Sequence, residues 1–64
     1  MSRLSEVRGW INENEGMHRG RDVALALGIT THQALVALMY EHKHGRIDRT
    51  KVGTYSRYHR KEQQ

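Results

Sequence analysis

Two groups of residues in this sequence have side chains suited to chemistry: a set of histidines and a dense cationic run toward the end. The histidines are His18, His32, His42, His44 and His59. His42 and His44 form a His-x-His pair, but on a helix residues i and i+2 point away from each other, so the pair does not chelate there. The other three have no ligand spacing. Without cysteine, a zinc site would need histidine joined by Asp or Glu from elsewhere in the fold. The expectation is no metal and no cofactor. Serine, histidine and aspartate are present, yet no spacing sets a nucleophile beside a base, and no glycine-rich loop follows a strand. The chain therefore reads as a binding protein and not as an enzyme. The histidines offer added positive charge below about pH 6.5, which would strengthen a hold on a polyanion.

The cationic run carries the stronger signal. Residues 43–61 contain Lys43, Arg46, Arg49, Lys51, Arg57, Arg60 and Lys61 against Asp48 alone. Residues 1–42 are near neutral, with Arg3, Arg8, Arg19 and Arg21 against Glu6, Glu13, Glu15, Asp22 and Glu41. Charge gathered at one end of a basic protein points to a polyanion partner, usually nucleic acid. The same stretch holds Ile47, Val52, Tyr55 and Tyr58, residues that favour strands. It is thus both the most cationic and the most sheet-prone part of the chain.

The chain has 64 residues and no cysteine. That is one domain, 1–64, close to the lower size limit for folding without disulfides or metal. A core this small supplies only roughly 3–5 kcal/mol. Its apolar residues are committed to packing, which leaves little room for the roughly 300–1,000 Å³ pocket of a small-molecule site. No small-molecule substrate is expected. There is no long apolar run, and "MSRLSEVRGW" lacks the apolar stretch of a signal peptide. The expectation is a cytoplasmic protein without a membrane partner.

The elements that position these residues can be read from periodicity. Leu4, Val7 and Ile11 make one helical stripe with Trp10 beside it, which predicts a helix over about 2–15 with Ser2 as its cap and Gly16 after its end. Val23, Ala24 and Leu27 share a face of a second helix, 20–27, closed by Gly28. A third helix, 30–44, opens with Thr30 and Gln33 as a capping box and closes at Gly45. Only "GIT" separates the second helix from the third, which forces a sharp turn. Residues 46–51 and 54–59 predict a hairpin with "KVGT" as its turn, followed by a basic tail, 60–64. Tyr55 and Tyr58 are three apart, so a regular strand puts them on opposite faces and only one in the core; a bulge is the alternative.

The run "DVALALGITTHQALVALMYEHKHGRIDR" followed by "GTYSRY" resembles the winged helix-turn-helix superfamily of DNA-binding domains. Ala24 matches that family's small residue in the first helix of the motif, Gly28 its turn, and Ile29 the apolar turn residue. Ala34 and Leu38 match inward positions of the third helix, and "GRIDR" (45–49) resembles the junction before the wing. The fold implied is mainly α with a small β-hairpin (α+β): three helices and a C-terminal two-stranded wing. This reading explains the cationic strands, since a wing must be sheet-like to pack beside the helices and basic to lie along phosphates.

The resemblance also implies roles. Thr31, His32 and Gln33 open the helix that enters the major groove; Gln can pair bidentately with adenine, and Thr can meet a thymine methyl. Thr30 and the helix N-terminus suit a phosphate. Arg19 and Arg21 would clamp the backbone, and Arg49, Lys51, Arg57, Arg60 and Lys61 would form the wing contacts. The partner implied is double-stranded DNA. The role is a transcriptional regulator at the nucleoid, with a homodimer favoured because one such domain makes a modest interface.

One feature fits this pattern poorly. Leu35, Val36 and Met39 fall where DNA-reading members carry polar residues, and Glu41 falls where a core leucine is usual. A shifted helix phase would bury Leu35, Leu38, Met39 and His42 and expose Val36, Ala37 and Tyr40. Either these apolar residues are core, or Leu35, Val36, Met39 and Tyr40 form a surface for a protein partner or a second copy. Two alternatives therefore stand beside the regulator: a winged-helix adaptor, and an RNA-binding module with Tyr55 and Tyr58 as stacking faces.

Overall fold

The computed structural model describes residues 2–61. Its elements are α1 (Arg3–Glu13), α2 (Gly20–Leu27), α3 (Thr31–Lys43), β1 (Ile47–Val52) and β2 (Tyr55–Arg60), with the two strands antiparallel. This is the α+β arrangement expected, three helices followed by a hairpin. Residues 62–64 of the expected tail lie outside the described residues. Among the described residues no single helix is long and apolar enough to cross a membrane.

Local chemistry accounts for the helix ends. The Ser2 hydroxyl accepts from the Ser5 amide at 3.2 Å and starts α1. The helix stops at Glu13, two residues short of the expected end. Asn14 turns extended, and its side-chain amide donates to the Trp10 carbonyl at 2.8 Å. The cap is therefore Asn14, and Gly16 belongs to the loop beyond it. Thr30 and Gln33 form the expected capping box, Thr30 N–H to Gln33 Oε1 at 3.1 Å and Gln33 N–H to Thr30 Oγ1 at 3.0 Å.

The turn between α2 and α3 sets the architecture. Gly28 adopts φ +68°, a conformation that costs glycine least, and its N–H returns to the Ala24 carbonyl. The two helices meet at 114°, within the roughly 90–120° of a helix-turn-helix. Small side chains permit close approach: Ala24 and Ala34 are buried between the helices, and a Cβ on Gly20 would lie 2.7 Å from Leu35 Cγ.

α3 ends when the Gly45 amide donates to the His42 carbonyl and the Arg46 amide to the Glu41 carbonyl, both at 3.0 Å. That pair of bonds is the Schellman pattern, and it directs the chain into β1. The hairpin runs one residue later than expected, and its turn is the two residues Gly53 and Thr54. Gly53 has φ +63°, the sign a type II′ turn demands at that position. No bulge intervenes in the register, so alternation holds: Tyr58 is 3% exposed and Tyr55 is 55% exposed.

A third strand position went unforeseen. His18 bridges Tyr58 on the side of β2 away from β1, with amide-to-carbonyl distances of 2.8 and 2.7 Å in the two directions. The core sits between this sheet and the helices. Val7 and Ile11 of α1, Val23 of α2, Leu38 of α3, Ile47 and Tyr58 are all buried, and Trp10 packs at its edge.

Candidate nucleic-acid interface

The outward side of α3 is apolar. Ala34, Ala37, Leu38 and Glu41 are the buried positions, at helical spacing on one face. Leu35 is 37% exposed, Val36 53%, Met39 55% and Tyr40 43%. The core reading of Leu35, Val36 and Met39 is therefore corrected, and so is the shifted phase: Ala37 is buried and Met39 is not. Alanines at 34 and 37 let α3 sit close to the other helices, which leaves its larger side chains outside. Leu35 keeps a packing role against Gly20.

Glu41 is fully buried, where an apolar residue was expected from the resemblance. Arg8 Nη1 donates to its Oε1 at 3.0 Å and Arg46 Nη1 to its Oε2 at 2.8 Å. A buried carboxylate is tolerable when both oxygens are matched by cations in this way. The three side chains tie α1, the last turns of α3 and the entry to the hairpin together.

At the leading end of α3, Thr30, Thr31 and His32 are exposed. Gln33 is half-buried and its carbonyl already accepts from Thr30, so its amide group is the part free to meet a base edge. A shallow recess of about 300 Å³ lies between Arg3 and Leu4 of α1 and His32, Gln33 and Val36 of α3. Arg21 is exposed in the first turn of α2.

The cationic wing residues divide. Cross-strand partners share a face, and the pairings are Ile47 with Arg60, Arg49 with Tyr58, Thr50 with Arg57, and Lys51 with Ser56. Arg49 and Lys51 thus lie on the face that carries Ile47 and Tyr58 toward the helices. Both are exposed, and among the described residues neither has an acid at ion-pair distance. Arg57 lies on the opposite face. Arg60 is occupied by Glu15 at 2.8 Å, and Lys61 donates to the Gly45 carbonyl at 2.8 Å. Arg19 is stacked over Tyr55, 4.0 Å from the ring centroid. The sequence-derived set is therefore not one surface.

The histidines are spread in the same way. His18 meets Trp10 edge-on at 4.6 Å, and its Nε2 lies 2.9 Å from the Asn14 carbonyl. His42 approaches Tyr58, His44 stacks on Tyr40, and His59 pairs with the Thr50 hydroxyl at 3.0 Å. Among the described residues no three His, Asp or Glu side chains converge as a metal site.

The model of one protein family, described as FaeA-like protein, matches residues 4–57. No curated protein and no solved structure matches the chain.

Proposed function

The chain belongs to the FaeA-like protein family, and from that premise we propose that it is a small regulatory DNA-binding protein of the winged helix-turn-helix kind. It acts by binding and not by catalysis. α3 lies in the major groove with Thr31, His32 and Gln33 leading, and Thr30 and Arg21 meet phosphates beside it. Arg49 and Lys51 reach the flanking backbone. The observations that support this best are an exposed α3 end, held at 114° to α2, and two exposed cations on the helix-side face of the hairpin that have no acid at ion-pair distance among the described residues. Phosphate contacts of this type set affinity, while contacts at the helix end set sequence choice.

Selection of binding sites from random duplexes tests the reading. Gln33→Glu keeps an acceptor for the Thr30 amide and removes the side-chain donor. The wild type enriches a motif, and the variant loses preference at one position of it. Failure of the wild type to retain any duplex overturns the proposal.

A second reading is supported by the exposure of Leu35, Val36, Met39 and Tyr40. An apolar stripe on a groove-facing helix offers little base discrimination beyond thymine methyls, and such stripes mark protein contacts. Here the domain pairs with a second copy or docks on another protein. If Val36→Asp or Met39→Asp abolishes a defined protein complex while duplex binding is absent in the wild type, this reading replaces the first. RNA recognition by a Tyr55/Tyr58 stacking pair loses support, because Tyr58 is buried and offers no open ring face.

A further inference from the structure

We propose that Arg19 and Arg57 form a second phosphate-binding site, on the sheet face turned away from the helices, through which the protein holds a second segment of nucleic-acid backbone. The proposal rests on the DNA-binding reading and extends it to a surface that reading does not use.

The sheet has two distinct faces. Ile47 and Tyr58 point inward and are buried, and His18 joins them against Trp10. The outer face carries Thr50 opposite Arg57 and Val52 opposite Tyr55. Arg19 follows His18 in extended backbone, φ −88° and ψ 161°, so its side chain turns to that outer face, and its stack on Tyr55 agrees. Because His18 pairs with Tyr58 antiparallel, Arg19 stands directly across from Arg57. The row Arg19, Arg57, Thr50 crosses all three strands.

Two guanidinium groups placed directly across a sheet repel each other. Among the described residues no carboxylate lies at ion-pair distance from either one. Asp22 accepts from the Arg19 backbone amide at 3.0 Å, and Asp48 lies on the same face but pairs across the strands with His59. Arg57 Nε is enclosed without an acceptor. Stacking on Tyr55 fixes the Arg19 guanidinium plane and leaves its N–H edge for an anion. An anion between the two arginines removes the repulsion and meets the outward N–H groups of two guanidiniums that no carboxylate of the described residues engages. Two forked donors suit the oxygens of a phosphodiester. Arg60 and Lys61 show the contrast, since their partners lie within the chain.

A protein with cations on both faces of its sheet can hold two duplex segments. Native mass spectrometry at low salt, with a duplex too short to reach both faces, counts them. The wild type takes up two duplexes per chain, and the double variant Arg19→Gln, Arg57→Gln takes up one. The remaining duplex binds more weakly when Arg49→Gln, Lys51→Gln is added. In parallel, the Arg57 Nε–H resonance of the wild type shifts as duplex is added, a readout that does not depend on the variant folding. Saturation at one duplex, with that resonance unmoved, overturns this inference and leaves the DNA-binding reading standing. Absence of any duplex binding overturns both. Movement of the Arg57 resonance by an acidic peptide but not by duplex assigns the site to a protein and overturns the proposal.

Discussion

Arg8 of α1 reaches Glu41 of α3 across 33 positions of sequence, its Nη1 donating to Oε1 at 3.0 Å. The carboxylate has no solvent exposure, and its other oxygen is held by Arg46 at 2.8 Å. Arg46 also gives its backbone amide to the Glu41 carbonyl. The carboxylate therefore ties α1 to the residue that leads from α3 into the hairpin.

Removing both cations strands a buried charge. Arg8→Met with Arg46→Met should cost about 3 kcal/mol, the low end of the range for an orphaned buried charge because both arginines are half-exposed. In a domain whose core supplies roughly 3–5 kcal/mol, that leaves the fold marginal. Adding Glu41→Leu to the same protein should restore most of the loss. Urea denaturation of the three proteins reads the cycle, and a loss under about 1 kcal/mol in the double variant would show that the carboxylate finds solvent.

The two hairpin tyrosines should behave oppositely. Tyr58 is buried between strands and helices, so Tyr58→Ala should cost at least about 3 kcal/mol and abolish cooperative melting. Tyr55→Ala removes an exposed ring and a cation–π contact with Arg19, worth about 0.5–1 kcal/mol. Thermal melts followed by circular dichroism separate them. Equal effects would mean that the strand faces are assigned wrongly.

The cap of α3 offers a local check. Thr30→Ala deprives the Gln33 amide of its acceptor and should destabilise the domain by about 1 kcal/mol. Thr30→Asp keeps an acceptor at the helix N-terminus and should recover that stability. The midpoint shift in urea measures both, and no difference between the two variants would contradict the capping geometry.

Much of this fold is legible because local chemistry decides it. Ser2, Gly28 and the Thr30/Gln33 box mark helix ends through bonds within a few residues. The spacing of Tyr55 and Tyr58 assigns strand faces once a bulge is absent. The phase of α3 is harder to read, since apolar residues occur on every side of it. Only the neighbours of Ala34 and Ala37 decide that these small residues face inward. Arg46 lies only five residues beyond Glu41, but Arg8 comes to it from 33 positions away, and no local pattern announces that. The strand position at His18 is one residue long and leaves no periodicity to detect. The wing cations look equivalent in sequence, yet Glu15 and the Gly45 carbonyl occupy Arg60 and Lys61, and the register sends Arg57 to the other face.

The most direct test is the salt dependence of binding to a short duplex, by fluorescence anisotropy, for the wild type and for Arg49→Gln, Lys51→Gln. If α3 and the helix-side wing cations hold DNA, log affinity falls steeply with log salt, and the variant's slope is shallower by about two, one for each phosphate contact removed. An unchanged slope, or a wild type that does not bind duplex at low salt, would contradict it.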